Sequence, residues 1–164
     1  FQKMNYKDYI DNVQDYPKKG ILFRDIQPLL SNYEIFSSAI SDMMKLIDID
    51  NADYLIGIES RGFIFSSSMA LKSGLGNKMI RKKGKLPNKQ IVSLSYNTEY
   101  SSDTIEMKYG SGKVIIVDDV YATGGTMKAS IQLAIKAGFE VIDTICLIDI
   151  GLMKKHKTKC LIYY

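Results

Sequence analysis

A strand, loop and helix pattern in the second half of the chain constrains its fold most. Residues 114–117 are four consecutive apolar residues, as in a strand buried on both faces. Asp118 and Asp119 follow, and a short loop with two adjacent glycines, Gly124 and Gly125, then leads into apolar residues at helical spacing. A strand followed by a tight loop and a helix is the unit from which parallel α/β sheets are built.

Three further segments predict strands. The apolar runs lie at residues 54–58 and 141–148, and residues 77–80 have the appearance of another short strand. Strands of this kind that alternate with helical patterns indicate parallel strands joined by helical crossovers. We therefore expect an α/β fold, a three-layer domain with a central, mostly parallel sheet flanked by helices.

Helices are predicted between these strands. Ser31 and Glu34 have the spacing of a capping box, and apolar residues recur every three or four positions from Phe36 to Ile47. A second helix is expected from about Gly62 to Lys72. A third ends at Gly138, because glycine readily adopts the left-handed conformation that terminates helices.

The region from about 82 to 108 differs from the rest of the chain. Residues 81–87 combine charge, glycine and proline and predict a loop, whereas residues 90–108 are rich in hydroxyls and alternate between two faces. We expect a flexible β-hairpin over the active site. With an N-terminal segment of about residues 1–30, it belongs to a single domain that spans residues 1–164.

Composition argues against several classes of protein. With 46% hydrophobic and 24% charged residues, the 164-residue chain is typical of a globular domain that needs no disulfide or metal to support its core. Its apolar stretches are shorter than the roughly 18 residues of a membrane span, and Cys146 and Cys160 do not resemble a secreted framework. We expect a cytoplasmic protein with reduced cysteines. A net charge of +4 is small for a nucleic-acid-binding protein and suits an anionic small molecule.

Arginine is rare among the basic residues. Of the 22 basic residues 19 are lysine, and the arginines are Arg24, Arg61 and Arg81. The planar guanidinium binds phosphates through two parallel hydrogen bonds, which lysine cannot do, so these positions are candidates for anion recognition. A chance distribution is the alternative.

The segment after residues 114–117 has the features of a monophosphate site. Gly124 and Gly125 allow several backbone N–H groups to point inward, and the start of the following helix adds partial positive charge. The spacing is too short for a Walker loop. Asp118 and Asp119 lie where carboxylates would accept hydrogen bonds from the hydroxyls of a ribose 5-phosphate. A match to the helix dipole and a magnesium site are the alternatives for this pair.

Residues 114–126 resemble the phosphoribosyl diphosphate motif of the type I phosphoribosyltransferases. Four further segments resemble the adenine phosphoribosyltransferases in particular: residues 16–26, 57–63, 81–87 and 95–100. The resemblance spans about residues 6–150. It implies a homodimer that converts adenine and 5-phosphoribosyl 1-diphosphate to AMP and pyrophosphate. It also implies Mg²⁺ held mainly by the substrate, with no protein side chains expected as metal ligands.

The resemblance implies phosphate-binding and ribose-binding roles for individual residues. The 5-phosphate would bind to Ala122, Thr123, Gly124, Gly125 and Thr126, and the ribose hydroxyls to Asp118 and Asp119. The pyrophosphate would bind to Ser60, Arg61, Arg81, Lys82 and Lys85, with Arg81 contributed by a partner subunit. Arg61 also suits this role by itself, since its fork of donors matches phosphate oxygens.

The resemblance further implies how the base is recognised and protonated. Main-chain groups of Leu22, Phe23 and Arg24 would bind the edges of adenine, with the ring of Phe23 stacked on the base. Glu99 would be the proton-transfer residue near the purine, and Tyr100 would help to cover the site. Arg61 and Glu99 are thus the implied catalytic residues.

Several of these assignments have an alternative. Residues 81–85 have the composition of a solvated or nucleic-acid-binding patch, Glu99 that of a surface carboxylate, and Arg24 is next to Asp25, a possible ion-pair partner. For the whole chain, one alternative is a phosphoribosyltransferase for hypoxanthine, guanine or xanthine. The other is a non-catalytic, nucleotide-sensing regulator, which would need a DNA-binding domain or a basic face; 164 residues at +4 leave little room for either.

Overall fold

The computed structural model describes residues 4–87, 89–98 and 101–164. The chain forms two compact units, Phe1–Asp42 and Met43–Tyr164, and the single domain expected from the sequence stays a prediction. The first unit contains a 3-10 helix (Tyr6–Tyr9), a two-stranded antiparallel sheet of β1 (Asp11–Gln14) and β2 (Leu22–Asp25), and α1 (Gln27–Ser31). Helix α2 (Tyr33–Lys45) spans the boundary in the sequence.

The second unit is built on a seven-stranded sheet. In chain order its elements are a 3-10 helix (Ile49–Asn51), β3 (Tyr54–Ile58), α3 (Gly62–Ser73), β4 (Gly76–Lys82), β5 (Ile91–Asn97), β6 (Ser102–Lys108), β7 (Gly112–Tyr121), α4 (Gly125–Lys136), β8 (Phe139–Asp149) and β9 (Lys159–Tyr163). The strand order is β5-β6-β4-β3-β7-β8-β9. Strands β4, β3, β7, β8 and β9 are parallel, and β6 joins β4 antiparallel. The predicted α/β fold with a mostly parallel sheet is confirmed.

Helices cover both faces of the central strands, which explains why these strands are continuously apolar. Helix α4 packs on one face, where Ile56 and Ile116 join Leu133 in a buried cluster. Helix α3 packs on the other face, so closely that a Cβ added at Gly57 would lie 2.2 Å from Oγ of Ser66. Because β3, β4 and β7 are parallel, their carboxyl ends meet at one edge of the sheet, where ligands bind in folds of this kind.

The N-terminal cap of α2 differs from the prediction. Helix α1, which carries a proline in its first turn, takes Ser31 as its last residue, and the Ser31 hydroxyl donates to the carbonyl oxygen of Gln27. Asn32 caps α2 instead, because its side-chain oxygen accepts a hydrogen bond from the N–H of Ile35 at 3.3 Å. The predicted helix is confirmed, but the predicted serine cap was wrong.

Two strands extend into segments that were predicted as loops. Arg81 and Lys82 belong to β4, because they pair with Glu106 and Ile105 of β6. Strand β7 continues beyond the apolar run to Tyr121, since its later residues pair with β8. Both extensions carry polar side chains directly to the edge of the sheet where the cleft lies.

Two further expectations concern the cysteines and membrane association. Cys146 and Cys160 are buried free thiols that face each other on β8 and β9. Among residues 4–87, 89–98 and 101–164, the helices are too short or too polar to cross a membrane.

Candidate active site

A cleft of about 470 Å³ opens at the carboxyl ends of β3, β4 and β7. It is lined by Ile58, Glu59, Ser60, Arg61, Ile80, Arg81, Lys82, Tyr96, Asp103, Ile105, Asp118, Asp119, Val120, Ala122 and Thr126. The lining therefore includes eight residues for which the sequence predicts a role in binding phosphate, ribose or pyrophosphate. The cationic groups of the lining lie at the ends of β3 and β4, and its carboxylates lie after β3, on β6 and at the end of β7.

Arg61 and Asp119 form an ion pair across this cleft. Arg61 immediately precedes α3, and its Nε donates to Oδ2 of Asp119. The Asp119 side chain is 9% exposed, whereas that of Arg61 is 48% exposed. The buried carboxylate thus holds the Nε edge of a partly exposed arginine side chain.

Asp118 is the second carboxylate of this pair. Its Oδ1 accepts a hydrogen bond from the N–H of Asp119 at 2.8 Å. Burial, together with the adjacent Asp119 carboxylate, raises the pKa of Asp118 well above its ordinary value, although Arg61 opposes the effect. A half-buried carboxylate of this kind gains from ligand groups that donate hydrogen bonds to it.

The glycine loop forms a smaller cavity of about 60 Å³ beside the cleft. It is lined by Asp118, Val120, Tyr121, Ala122, Thr123, Gly124, Gly125, Thr126, Met127 and Cys146. Gly124 caps α4 with φ of +88°, a left-handed conformation that favours glycine. The loop and the first turn of α4 therefore present backbone N–H groups and hydroxyls around a space suited to a phosphate.

Arg81 and Lys82 are held by Glu59. The Nε of Arg81 and the N–H of Lys82 each donate to Oε1 of Glu59 at 3.1 Å. Partial burial alone would raise the pKa of Glu59, but these hydrogen bonds and the two nearby cations lower it below its ordinary value. The carbonyl oxygen of Lys85 accepts from Arg81 at 3.4 Å, while its exposed side chain is not among the groups that line the cleft.

The hairpin contributes residues for which the sequence analysis predicts no role. The hydroxyl of Tyr96 on β5 lies 3.3 Å from that of Thr126 in the phosphate loop, and Asp103 on β6 lines the cleft. The sequence analysis also assigned no role to Glu59. Its position directly before Ser60 was the signal that could have suggested a carboxylate paired with a nearby cation, which in the structure is Arg81. Cross-strand contacts of this kind depend on a register that a single sequence does not specify.

The predicted adenine-binding residues lie in the first unit, on β2. Arg24 donates to the side-chain oxygen of Asn12, its cross-strand partner, and the ring of Phe23 packs edge-on against Tyr16 with centroids 5.2 Å apart. Leu22 is exposed. Arg24 therefore has a hydrogen-bond partner, Asn12, on the neighbouring strand β1. Glu99 and Tyr100 lie outside the described residues.

Residues 4–87, 89–98 and 101–164 contain no group of three or more His, Cys, Asp or Glu side chains that could hold a metal ion.

Three comparisons with known proteins agree with this geometry. Residues 30–162 match the family model of the phosphoribosyl transferase domain. The chain is 48% identical over 158 residues to the adenine phosphoribosyltransferase of Brachyspira hyodysenteriae, which covers 94% of this chain and 92% of the relative.

Two solved structures superimpose on the fold. The adenine phosphoribosyltransferase of Rhodothermus marinus has a TM-score of 0.86 at 37% identity and covers 96% of both chains. The Saccharomyces cerevisiae enzyme, complexed with an imino-altritol bisphosphate and adenine, has a TM-score of 0.86 at 30% identity and covers 94% of this chain and 95% of its own. The chain therefore belongs to the phosphoribosyltransferase family and, within it, to the adenine phosphoribosyltransferases.

Proposed function

We propose that this chain transfers the 5-phosphoribosyl group from 5-phosphoribosyl 1-diphosphate to adenine, giving AMP and pyrophosphate, and so serves purine salvage. The observation that carries this proposal is the composition of one cleft. Two arginines stand at one end of it, two carboxylates lie in its floor, and a glycine loop lies at its other end. These are the groups that a ribose with a phosphate at one end and a pyrophosphate at the other requires.

The order of the strands supports a direction for the substrate. Strand β7 leads into the phosphate loop, β3 is its neighbour, and β4 lies one strand further. The 5-phosphate would bind at Ala122–Thr126, the ribose hydroxyls at Asp118 and Asp119, and the pyrophosphate at the ends of β3 and β4. Ser60, Arg61, Arg81 and Lys82 line that last part of the cleft, and Lys85 follows it in the sequence.

Catalysis in such a site would rest on positioning and charge. Breaking the bond between the anomeric carbon and pyrophosphate builds positive charge on the ribose and negative charge on the leaving group. Arg61, fixed at Nε by Asp119, would stabilise the leaving group without reorganising, and an Arg81 contributed across the proposed dimer would add a second positive charge. The carboxylates of Asp118 and Asp119 would hold the ribose in line for attack.

Magnesium fits this donor set as an ion carried mainly by the substrate. Hard cations prefer phosphate, carboxylate and water oxygens, and of the four carboxylates that line the cleft, Glu59 and Asp119 are already paired with arginines. When bound, Mg²⁺ would neutralise charge on the leaving pyrophosphate. The ligands of the ion would come from the substrate and water, with no protein side chain expected to bind it.

The base-recognition roles rest on the family resemblance. Main-chain groups of Leu22, Phe23 and Arg24 would bind the edges of adenine, a base that the Saccharomyces relative binds. Glu99 would move the proton at the imidazole edge of the purine, and Tyr100 would cover the site. We further propose a cytoplasmic homodimer in which Arg81 serves the neighbouring subunit.

The test is steady-state formation of nucleotide from 5-phosphoribosyl 1-diphosphate with each purine base and magnesium. Adenine should be used, and hypoxanthine, guanine and xanthine should be poor substrates. A site that hydrogen-bonds the amino group of adenine is left with unpaired buried groups by an oxo substituent, a loss of up to about ten-thousandfold. Comparable kcat/KM for adenine and hypoxanthine would overturn the adenine assignment. Absence of turnover with every base, alongside nucleotide binding, would instead favour a sensing protein.

A further inference from the structure

Tyr121 ends β7 and lies directly against the phosphate loop. It lines the 60 Å³ phosphate cavity, and a Cβ added at Gly124 would lie 2.3 Å from the Tyr121 hydroxyl. The phenol therefore occupies the space that a side chain at position 124 would need. Any shift of the Tyr121 ring changes the room available to the backbone of Gly124, which caps α4.

His156 holds the other side of the Tyr121 ring. The two rings stack with centroids 3.8 Å apart and planes 20° from parallel. His156 lies between β8 and β9 in a stretch whose residues Gly151–Lys155 are exposed, yet its own side chain is only 12% exposed. Its position is thus set by the stack and by its hydrogen bond rather than by a regular element.

Asp149, the last residue of β8, orients the His156 ring. Its Oδ2 lies 2.7 Å from Nε2 of His156, and its Oδ1 accepts from the N–H of Gly151 at 2.8 Å. Asp149 is also the cross-strand neighbour of Tyr121, and the N–H of Ile150 donates to the Tyr121 carbonyl at 3.2 Å. The side chain and the backbone of Tyr121 are therefore both fixed by the end of β8 and by residues of the loop between β8 and β9.

The second ring nitrogen of His156 is an unusual feature of this arrangement. Nδ1 is buried and has no hydrogen-bond partner within the described residues. A buried nitrogen without a hydrogen-bond partner is unfavourable, whereas a phenylalanine would stack on Tyr121 without that cost. A ring that only filled space would not need Nε2 or the buried carboxylate of Asp149, so the pair has a use beyond packing.

We propose that His156, oriented by Asp149, is a positioning residue that acts through Tyr121 on Gly124 and sets the shape of the 5-phosphate loop. This inference rests on the proposed function, because it assigns the loop its ligand. The chemistry recognised is a sugar monophosphate. Backbone N–H groups bind phosphate well only when they converge, and the stack of His156 on Tyr121 keeps Gly124 and the first turn of α4 in that convergent arrangement.

The experiment compares His156→Gln with wild type and with Lys155→Gln, a neighbouring exposed control. Dissociation constants for ribose 5-phosphate and for inorganic pyrophosphate are measured by calorimetry, and KM and kcat by steady-state kinetics. His156→Gln should weaken ribose 5-phosphate binding and raise KM for 5-phosphoribosyl diphosphate about tenfold. Pyrophosphate binding, KM for adenine, and kcat at saturation should stay within about twofold, because these depend on other parts of the cleft.

Two further variants make the result decisive. Tyr121→Phe keeps the stack and removes the hydroxyl against Gly124, so it should weaken ribose 5-phosphate alone, even if His156→Gln does not fold. In a Tyr121→Ala background, adding His156→Gln should cause little further loss, since His156 acts through Tyr121. Unchanged ribose 5-phosphate binding in His156→Gln or Tyr121→Phe, with only a lower Tm, would overturn the inference. Failure of the wild type to bind ribose 5-phosphate would instead contradict the proposed function.

Discussion

The Nε of Arg61 donates to the carboxylate of Asp119 and so joins the residue before α3 to the end of β7 across the cleft. A guanidinium carries five N–H donors, and in the proposed reaction Arg61 would keep its contact with Asp119 while other donors bind phosphate oxygens. The buried carboxylate also limits where the guanidinium can move. An arginine held in this way is prepared for a leaving group before the substrate arrives.

Replacement of Arg61 by lysine should therefore be costly although the charge is kept. A single ammonium cannot hold Asp119 and bind pyrophosphate in the same geometry, and we expect kcat/KM for 5-phosphoribosyl diphosphate to fall about a hundredfold. Lys113→Gln, at the opposite end of β7, is the control. Near-normal kcat/KM in Arg61→Lys would remove the special role of the guanidinium.

Asp118→Asn should change thermal stability and AMP binding in opposite directions. The pKa of Asp118 is raised by burial and by Asp119, so the folded state keeps a proton that the unfolded state releases above a pH of about 3.9. The free energy of unfolding of the wild type therefore falls as the pH rises from that value to the raised pKa. Asparagine cannot ionise, so this decrease should be absent from the variant.

At neutral pH, Asp118→Asn should accordingly have a higher Tm than wild type and yet bind AMP roughly tenfold to a hundredfold more weakly, because a charged hydrogen-bond acceptor is lost. Thermal unfolding across the pH range and calorimetric titration with AMP measure the two effects. Asp50→Asn, an exposed aspartate elsewhere, is the control. A Tm below that of wild type at neutral pH would show that Asp118 stabilises the fold instead.

Mixing two inactive variants tests whether Arg81 serves the neighbouring subunit. Arg81→Ala and Asp118→Asn chains are combined after unfolding and refolding together, and AMP formation is measured. Random pairing makes half of the dimers mixed, and action across the interface restores one site in each, so about a quarter of wild-type activity should return. Within one chain Arg81 contacts Glu59 beside its own cleft, and recovery near zero would mean that it acts there.

Glu99→Gln tests proton transfer at the purine. Glutamine can keep a hydrogen bond but cannot exchange the proton, so AMP binding should stay within a few-fold while kcat falls about a hundredfold or more. Single-turnover kinetics distinguish the chemical step from product release. An unchanged chemical step would assign Glu99 to covering the site rather than to proton transfer.

The central strands and their helices could be predicted, because runs of apolar residues indicate buried strands and apolar residues at helical spacing indicate packed helices. Strands β3, β7 and β8 and helices α3 and α4 follow from that pattern. Strand β1 has no such signal, because it is exposed along its whole length and Val13 is its one apolar residue. Strand β9 was missed although residues 160–163 are consecutively apolar, because the run is short and follows a lysine-rich stretch. Their hydrogen bonds come from partners that only the folded chain brings near.

The candidate site was predictable where one local motif carries several groups. Ala122–Thr126 and the two aspartates are contiguous, so a single segment indicates both phosphate and ribose. The places of Glu59 and Tyr96 in the site depend on their contacts with Arg81 and Thr126, which lie 22 and 30 residues away in the chain. Pairings over that distance depend on strand order and register, which periodicity does not specify.

The hairpin touches both halves of the cleft at once. Tyr96 reaches Thr126 at the end that suits the 5-phosphate, and Glu106 pairs with Arg81 at the end that suits pyrophosphate. Of the molecules in the proposed reaction, the intact phosphoribosyl donor fills both ends, whereas AMP and pyrophosphate each fill one. In the proposed reaction, cleavage of the donor would therefore replace one molecule that spans both contacts of the hairpin with two molecules that each reach only one of them.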